Sequence, residues 1–224
     1  MAHFRQAVVL GAAALTALAV AAPPASAATT TIRKGSAAAA PYSGNVRASL
    51  LGTASVTTSL GSGTCNSSTM SGSIQSNGSA LNITAASFTN VPGPACPGGG
   101  GTVTVTTLNL PWTGGSVVYD SAHTANRDAA VTIAGFKVKA VASILGGITC
   151  YFGGNLTANG YNPDNPNRPN TSVAAAEVGV NGATVSKQSG SNFLCPATAT
   201  VTATYQLQGE TTAGNYNQQL YVTP

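Results

Sequence analysis

The sequence predicts an all-β protein: an antiparallel β-sandwich or barrel built from two tandem related repeats, each with one disulfide. Three observations carry that expectation. Segments such as TVTVTTLNL (102–110) and ATVTATYQLQ (199–208) alternate with period two and concentrate β-branched residues, while no window shows a helical stripe. Turn formers fall between these runs, at Pro92-Gly93-Pro94, 98–101, Thr113-Gly114-Gly115, Gly153-Gly154 and 161–170. The chain has four cysteines, Cys65, Cys96, Cys150 and Cys195, and no two are spaced as a C-x2-C ligand pair, so they read as two disulfides and not as a metal site.

In chain order, residues 1–27 read as a secretory signal peptide. His3 and Arg5 precede an apolar run over 7–22, and Ala25-Ser26-Ala27 supplies the small-residue pattern expected at a cleavage site after Ala27. A single arginine favours the general secretory route over the twin-arginine one. The apolar run, about 16 residues, is short of the roughly 20 that span a bilayer as a helix, so no transmembrane helix is expected. The expected location is secreted, extracellular. Residues 28–40, low in complexity, read as a flexible N-terminal arm.

The repeat is expected as 41–119 and 130–224, joined by a connector at 120–129. SVTTSLGSGTCNSSTMSGS (55–73) aligns with AVASILGGITCYFGGNLTA (140–158), matching Val56 to Val141, Gly61 to Gly146 and Cys65 to Cys150. CPGGGGTVTVTTLNL (96–110) aligns with CPATATVTATYQL (195–207), matching Cys96 to Cys195. A duplicated unit carrying its own staple implies the pairs Cys65–Cys96 and Cys150–Cys195. Within the second repeat, Lys137 and Lys139 alternate with Phe136 and Val138, which places the lysines on the solvent face.

Composition narrows the function classes. The chain is 43% hydrophobic but only 6% aromatic and 6% charged. Its apolar content is therefore mostly Ala and Val, and its solubility rests on Ser, Thr, Asn and Gln. Without Arg5, eight basic residues face five acidic ones, a net of +3 with His123 neutral. That excess is too sparse for a nucleic-acid partner.

Reactive residues are few. The stretch VVYDSAHTANRDAAV (117–131) crowds Asp120, Ser121, His123 and Asp128 into one connector without a nucleophile-elbow motif, and is expected to be a solvated loop. No catalytic residue is assigned. Asp120, Asp128, Asp164, Glu177 and Glu210 leave open, as an alternative, a secreted hydrolase using scattered carboxylates. The loop YNPDNPNRPN (161–170) offers one carboxylate, Asp164, which argues for a rigid turn over a Ca2+ site. No metal or cofactor is expected. The candidate ligand-binding residues are Trp112, Tyr119, Tyr151 and Phe152, large side chains near glycine-rich turns. The competing reading puts Trp112 in the core and packs Tyr151 and Phe152 on the neighbouring disulfide.

LPWTGGSVVYD, GGITCYFGGNLTANGYNPDNPNRPN and the Cys-Pro-x-x-x-Thr-Val-Thr pattern resemble small exported actinobacterial β proteins of uncharacterised function. The resemblance covers nearly all of the mature chain and implies an extracellular β fold without an assigned activity. Neocarzinostatin-like carriers are also secreted β-sandwiches with two disulfides. Their cysteine pairs close shorter loops than the separations of 31 and 45 residues here, so their ligand site is not carried over. The functional expectation is a secreted, non-catalytic binding or structural module whose partner is a cell-wall polymer, a small ligand or an extracellular protein. A strand-assembling pore or fibre is a further alternative.

Overall fold

The computed structural model describes residues 29–224. The signal peptide expected over 1–27 lies outside the described residues. Between 44 and 218 the strands form one antiparallel sheet that closes on itself as a barrel.

The wall has eight positions, visited in an up-and-down order that follows the sequence. Position one is β2 (Gly44–Thr58). Position two is split into β3 (Gly61–Cys65), beside the C-terminal half of β2, and β4 (Ser67–Ile74), beside its N-terminal half. Position three is split into β5 (Leu81–Thr89), paired with β4, and β6 (Cys96–Gly98), paired with β3. Position four is split into β7 (Gly101–Thr107) and β8 (Trp112–Tyr119). Both pair with β9 (Ala129–Ala142), β7 with its C-terminal half and β8 with its N-terminal half. Three long unbroken strands follow: β10 (Ile148–Tyr161), β11 (Ala176–Lys187) and β12 (Thr198–Thr212). Pairing of β12 with β2, from Thr200↔Thr57 to Gly209↔Val46, closes the ring. The all-β expectation is met, and the sheet resolves the choice between sandwich and barrel in favour of a barrel.

Inside faces out of register with a strict period of two are explained by bulges. On β9 the buried set runs Ala129, Val131, Ile133 and then Phe136, Val138. On β11 it runs Ala176, Val178, Val180 and then Ala183, Val185. Each jump coincides with one extra residue in the ladder, next to Gly135 (φ 71°) and Gly182 (φ 70°). A left-handed residue at a bulge bends the strand and restores the inward set, and glycine adopts it without strain. β12 has no interruption over Ala199, Val201, Ala203, Tyr205 and Leu207, and its period of two was visible in the sequence.

The two ends of the barrel differ. At one end lie the turns 59–60, 99–100 and 143–147, the 188–197 segment and both disulfides, Cys65–Cys96 and Cys150–Cys195. The other end is covered by a lid, in which β1 (Thr31–Lys34) pairs with β14 (Leu220–Thr223). The lid strand β14 follows a short hairpin of β12 with β13 (Asn215–Gln218). Ile32, Leu220 and Val222 are buried there. This corrects the reading of 28–40 as a flexible arm: Ile32 needs apolar cover and finds it over the barrel end. Lys137 and Lys139 are half-buried beside buried Phe136 and Val138, as the alternation implied.

A Cβ on Gly135 would meet nothing within 4 Å, whereas one on Gly72 would collide with the Asn82 carbonyl. Gly135→Ala should therefore cost only the left-handed backbone, about 1–2 kcal/mol. Gly72→Ala must separate β4 from β5 and should destabilise far more. Denaturant unfolding of the two variants checks the order, and equal losses would contradict the bulge assignment.

Candidate functional site

The interior of the disulfide end is not filled. A cavity of about 180 Å³ opens there, walled by small and branched side chains that include Ala54, Ala140, Ala142, Ala199, Val103 and Val185. Its outer rim carries Val56 and Leu60, both solvent-exposed, with Ile144 and Gly99. An eight-position barrel has an interior that large side chains just fill, or that holds one small ligand when they are absent. Here many inward positions near the mouth are small, Ala54, Ala140, Ala142 and Ala199 among them, although Ile148 and Phe152 also line the wall, and the space follows from the small ones.

Tyr205 closes the floor. It touches both this cavity and a second one of about 90 Å³ beneath the lid, where the wall residues are larger: Met70, Ile74, Leu81, Ile83 and Leu207 among them. The Tyr205 hydroxyl shares a 3.0 Å hydrogen bond with Ser68 Oγ. Burial pushes the phenol up to about 12, partly offset by that bond, so Tyr205 stays neutral and can donate.

The four aromatic candidates do not form one exposed face. Trp112 is 2% exposed, donates its indole N–H to Leu108 O at 2.8 Å, and lies 5.0 Å from Phe136 between ring centres. It turns inward where position four breaks between β7 and β8. Phe152 is buried and lines the cavity, while Tyr151, its neighbour on β10, lies on the opposite face against Gly190. Tyr119 is near the lid end, edge-on to His123 at 6.0 Å. Only Phe152 of the four belongs to the cavity. The alanines that define the cavity were missed because small residues carry no chemical signal, although their inward spacing on β12 was already in the sequence.

The connector 120–128 is a hydrogen-bonded turn. Asp120 accepts from Arg127 Nε at 2.7 Å and from the amides of Ala122 and Thr124, and the Arg127 guanidinium holds its carboxyl below the usual range. His123 Nδ1 lies 3.1 Å from Arg127 O and 3.5 Å from Asp128 Oδ1. Asp128 departs from the solvated-loop expectation. It is buried and accepts from Asn162 N and Asn165 Nδ2, tying the connector to the 161–170 loop. Glu210 accepts from Gly214 N and Asn45 Nδ2, which lower its pKa. None of these carboxylates lines the large cavity. Among the described residues, no group of three His, Cys, Asp or Glu side chains could hold a metal ion.

Glu177 lies on the outer face of β11 but is 1% exposed, because the 162–175 loop folds over it. It accepts from Asn170 N at 2.9 Å and stands 4.0 Å from Arg168 Nε. Burial raises its pKa, and the Asn170 amide and Arg168 oppose that shift. Comparison with protein-family models, curated proteins and solved structures finds no match to the chain.

Two outcomes are expected. Trp112 emission should be blue-shifted and resistant to iodide, as its burial requires; emission like that of free indole would contradict its placement. Because the folded-state pKa of Glu177 is raised, its stabilising contribution is complete below the unfolded pKa and is lost as pH rises through the folded one. Glu177→Gln should therefore raise the melting temperature at neutral pH, with the gain vanishing in acid. Thermal melts across that range read the sign, and a variant less stable at neutral pH would mean that the charged pairing with Arg168 outweighs burial.

Proposed function

We propose that this protein is a secreted, non-catalytic binding module that holds a small, neutral, largely apolar molecule inside the disulfide end of its barrel. The cavity carries this reading. Around a space of about 180 Å³ the apolar wall goes uncovered, and a core that leaves such area unpacked forgoes hydrophobic stabilisation. A few Ala→Leu exchanges would remove it if stability were all that mattered. The lining is almost wholly apolar, which favours hydrocarbon or aromatic ligands over sugars and peptides, whose polar groups would go unpaired.

Export is supported by the two disulfides and by the signal-like N-terminal sequence. No helix among the described residues is long and apolar enough to cross a membrane. Outward positions on the wall are polar, for example Thr102, Thr104 and Thr106 on β7 and Thr198 and Thr200 on β12. A membrane-spanning barrel needs an apolar band outside, so this pattern speaks against the pore reading. We further take 41–119 and 130–224 as related by duplication. In support, each supplies four wall positions and one disulfide at the same end.

The test is binding of N-phenyl-1-naphthylamine, whose emission rises in apolar surroundings, followed by displacement with naphthalene. Saturable binding is expected, and Ala140→Phe, which projects a ring into the cavity, should weaken it by about tenfold or more, or at least 1.4 kcal/mol. Binding that Ala140→Phe leaves unchanged, or no saturable binding of either compound, would overturn the proposal.

A further inference from the structure

Charge is distributed unevenly along the barrel axis. All five acidic residues sit at the lid end: Asp120 and Asp128 in the β8–β9 turn, Asp164 and Glu177 at the β10–β11 connection, and Glu210 near the end of β12. Five basic residues share that end, on β1, at the start of β2, and in the 120–128 and 162–175 segments. Their formal charges cancel. Among the described residues, which leave out Arg5, the excess of +3 therefore belongs to Lys137, Lys139 and Lys187, in the mouth half.

The same half gathers exposed apolar side chains. Of six large exposed hydrophobics among the described residues, four surround the mouth: Val56, Leu60 (51% exposed), Phe193 (85%) and Leu194. Their carriers are neighbours, since β2 pairs with β12 at Thr57↔Thr200 and the 188–197 segment leads directly into β12. Lys187 is exposed at the top of β11, and its ammonium donates to Cys195 O at 3.1 Å, beside Leu194. Lys139 lies three residues below the top of β9, about 10 Å down at strand rise. Lys137 is two residues lower.

We propose that the mouth end docks on an anionic lipid surface, with Phe193, Leu194 and Leu60 entering the interface and Lys187 and Lys139 facing the headgroups. Apolar side chains flanked by lysines, with no carboxylate in that half, suit an anionic interface. A neutral apolar partner would gain nothing from the lysines. Docking would also place the cavity mouth against the phase in which apolar molecules concentrate. The proposal goes beyond the ligand-binding reading and does not require it, since the surface stands without a bound molecule.

The test is co-sedimentation of the exported, ligand-free protein with phosphatidylcholine vesicles, with and without phosphatidylglycerol. Binding should be at least about tenfold stronger with the anionic lipid and should fall with added salt. Phe193→Ser with Leu194→Ser, and separately Lys139→Gln with Lys187→Gln, should each reduce it by about tenfold or more. All four side chains lie outside the cavity lining, so dye binding by these variants should match wild type. Equal binding to both vesicle types, no binding, or indifference to both variant pairs would overturn the proposal. So would light scattering that shows a dimer which the Phe193/Leu194 variant converts to monomer, because a second copy would then be the occupant. Loss of dye binding with vesicle docking retained would instead count only against the ligand-binding reading.

Discussion

The ladder between β2 and β12 joins the first wall strand to the last across about 150 residues of chain, and the rest of the barrel depends on it. Neither disulfide crosses that seam, because Cys65–Cys96 lies in the first half and Cys150–Cys195 in the second. Closure therefore rests on backbone hydrogen bonds and on what the inward side chains bury. Without it, two long strands would expose unpaired edges, and Tyr205 on β12 would lose the Ser68 hydroxyl on β4. That bond passes over β2 and joins the strands on either side of it, one from each half of the chain, and its cost if broken is a buried hydroxyl without a partner.

Closure also fixes how much must be packed inside. Near the lid, Met70, Ile74, Leu81, Ile83 and Ile133 leave a space of about 90 Å³, and Ile32, Leu220 and Val222 roof it. Near the mouth, Ala54, Ala140, Ala142 and Ala199 occupy equivalent inward positions, and the space doubles. The low aromatic content of the chain and the presence of a cavity are thus one fact seen at two levels. Three of the few large rings, Trp112, Phe136 and Phe88, pack together at the break in position four, and Phe152 is left to line the cavity above them.

Strand content was legible because β7 and β12 alternate without interruption, and the cysteine pairing was legible because each half repeats a Cys-Pro followed by an alternating strand. The inward sets of β9 and β11 were harder to read. A glycine bulge shifts the period by one residue, and in a glycine-rich sequence Gly135 and Gly182 look like any other turn former. The role of β1 was hidden because Ile32 is one apolar residue in a low-complexity run, and only the distant β14 gives it a partner. Asp128 read as part of a solvated loop, and nothing in the sequence marked Glu177 as buried, because burial by the 162–175 loop is a tertiary fact. Among the aromatics, adjacency in sequence misled: on a strand, Tyr151 and Phe152 must face opposite sides.

The placement of the disulfides follows from the cavity. Where a wall stays fully laddered, as along β9 and β10, hydrogen bonds hold it. At the mouth they run short. β3 and β6 share a single register pair, Gly63↔Gly98, at a spacing that leaves no room for a Cβ on Gly98, and Cys65–Cys96 joins the same two segments. β11 ends at Lys187, and beyond it the 188–195 stretch follows β10 through scattered bonds such as Asn192 N to Thr149 O and Gln188 N to Tyr151 O. Cys150–Cys195 fastens that stretch. The hydrogen-bonded carboxylates and amides, by contrast, gather at the lid, where Asp128, Asn162 and Asn165 hold loop to loop. The barrel uses polar networks where it is shut and covalent bonds where it is open, and so the open end can remain apolar without coming apart.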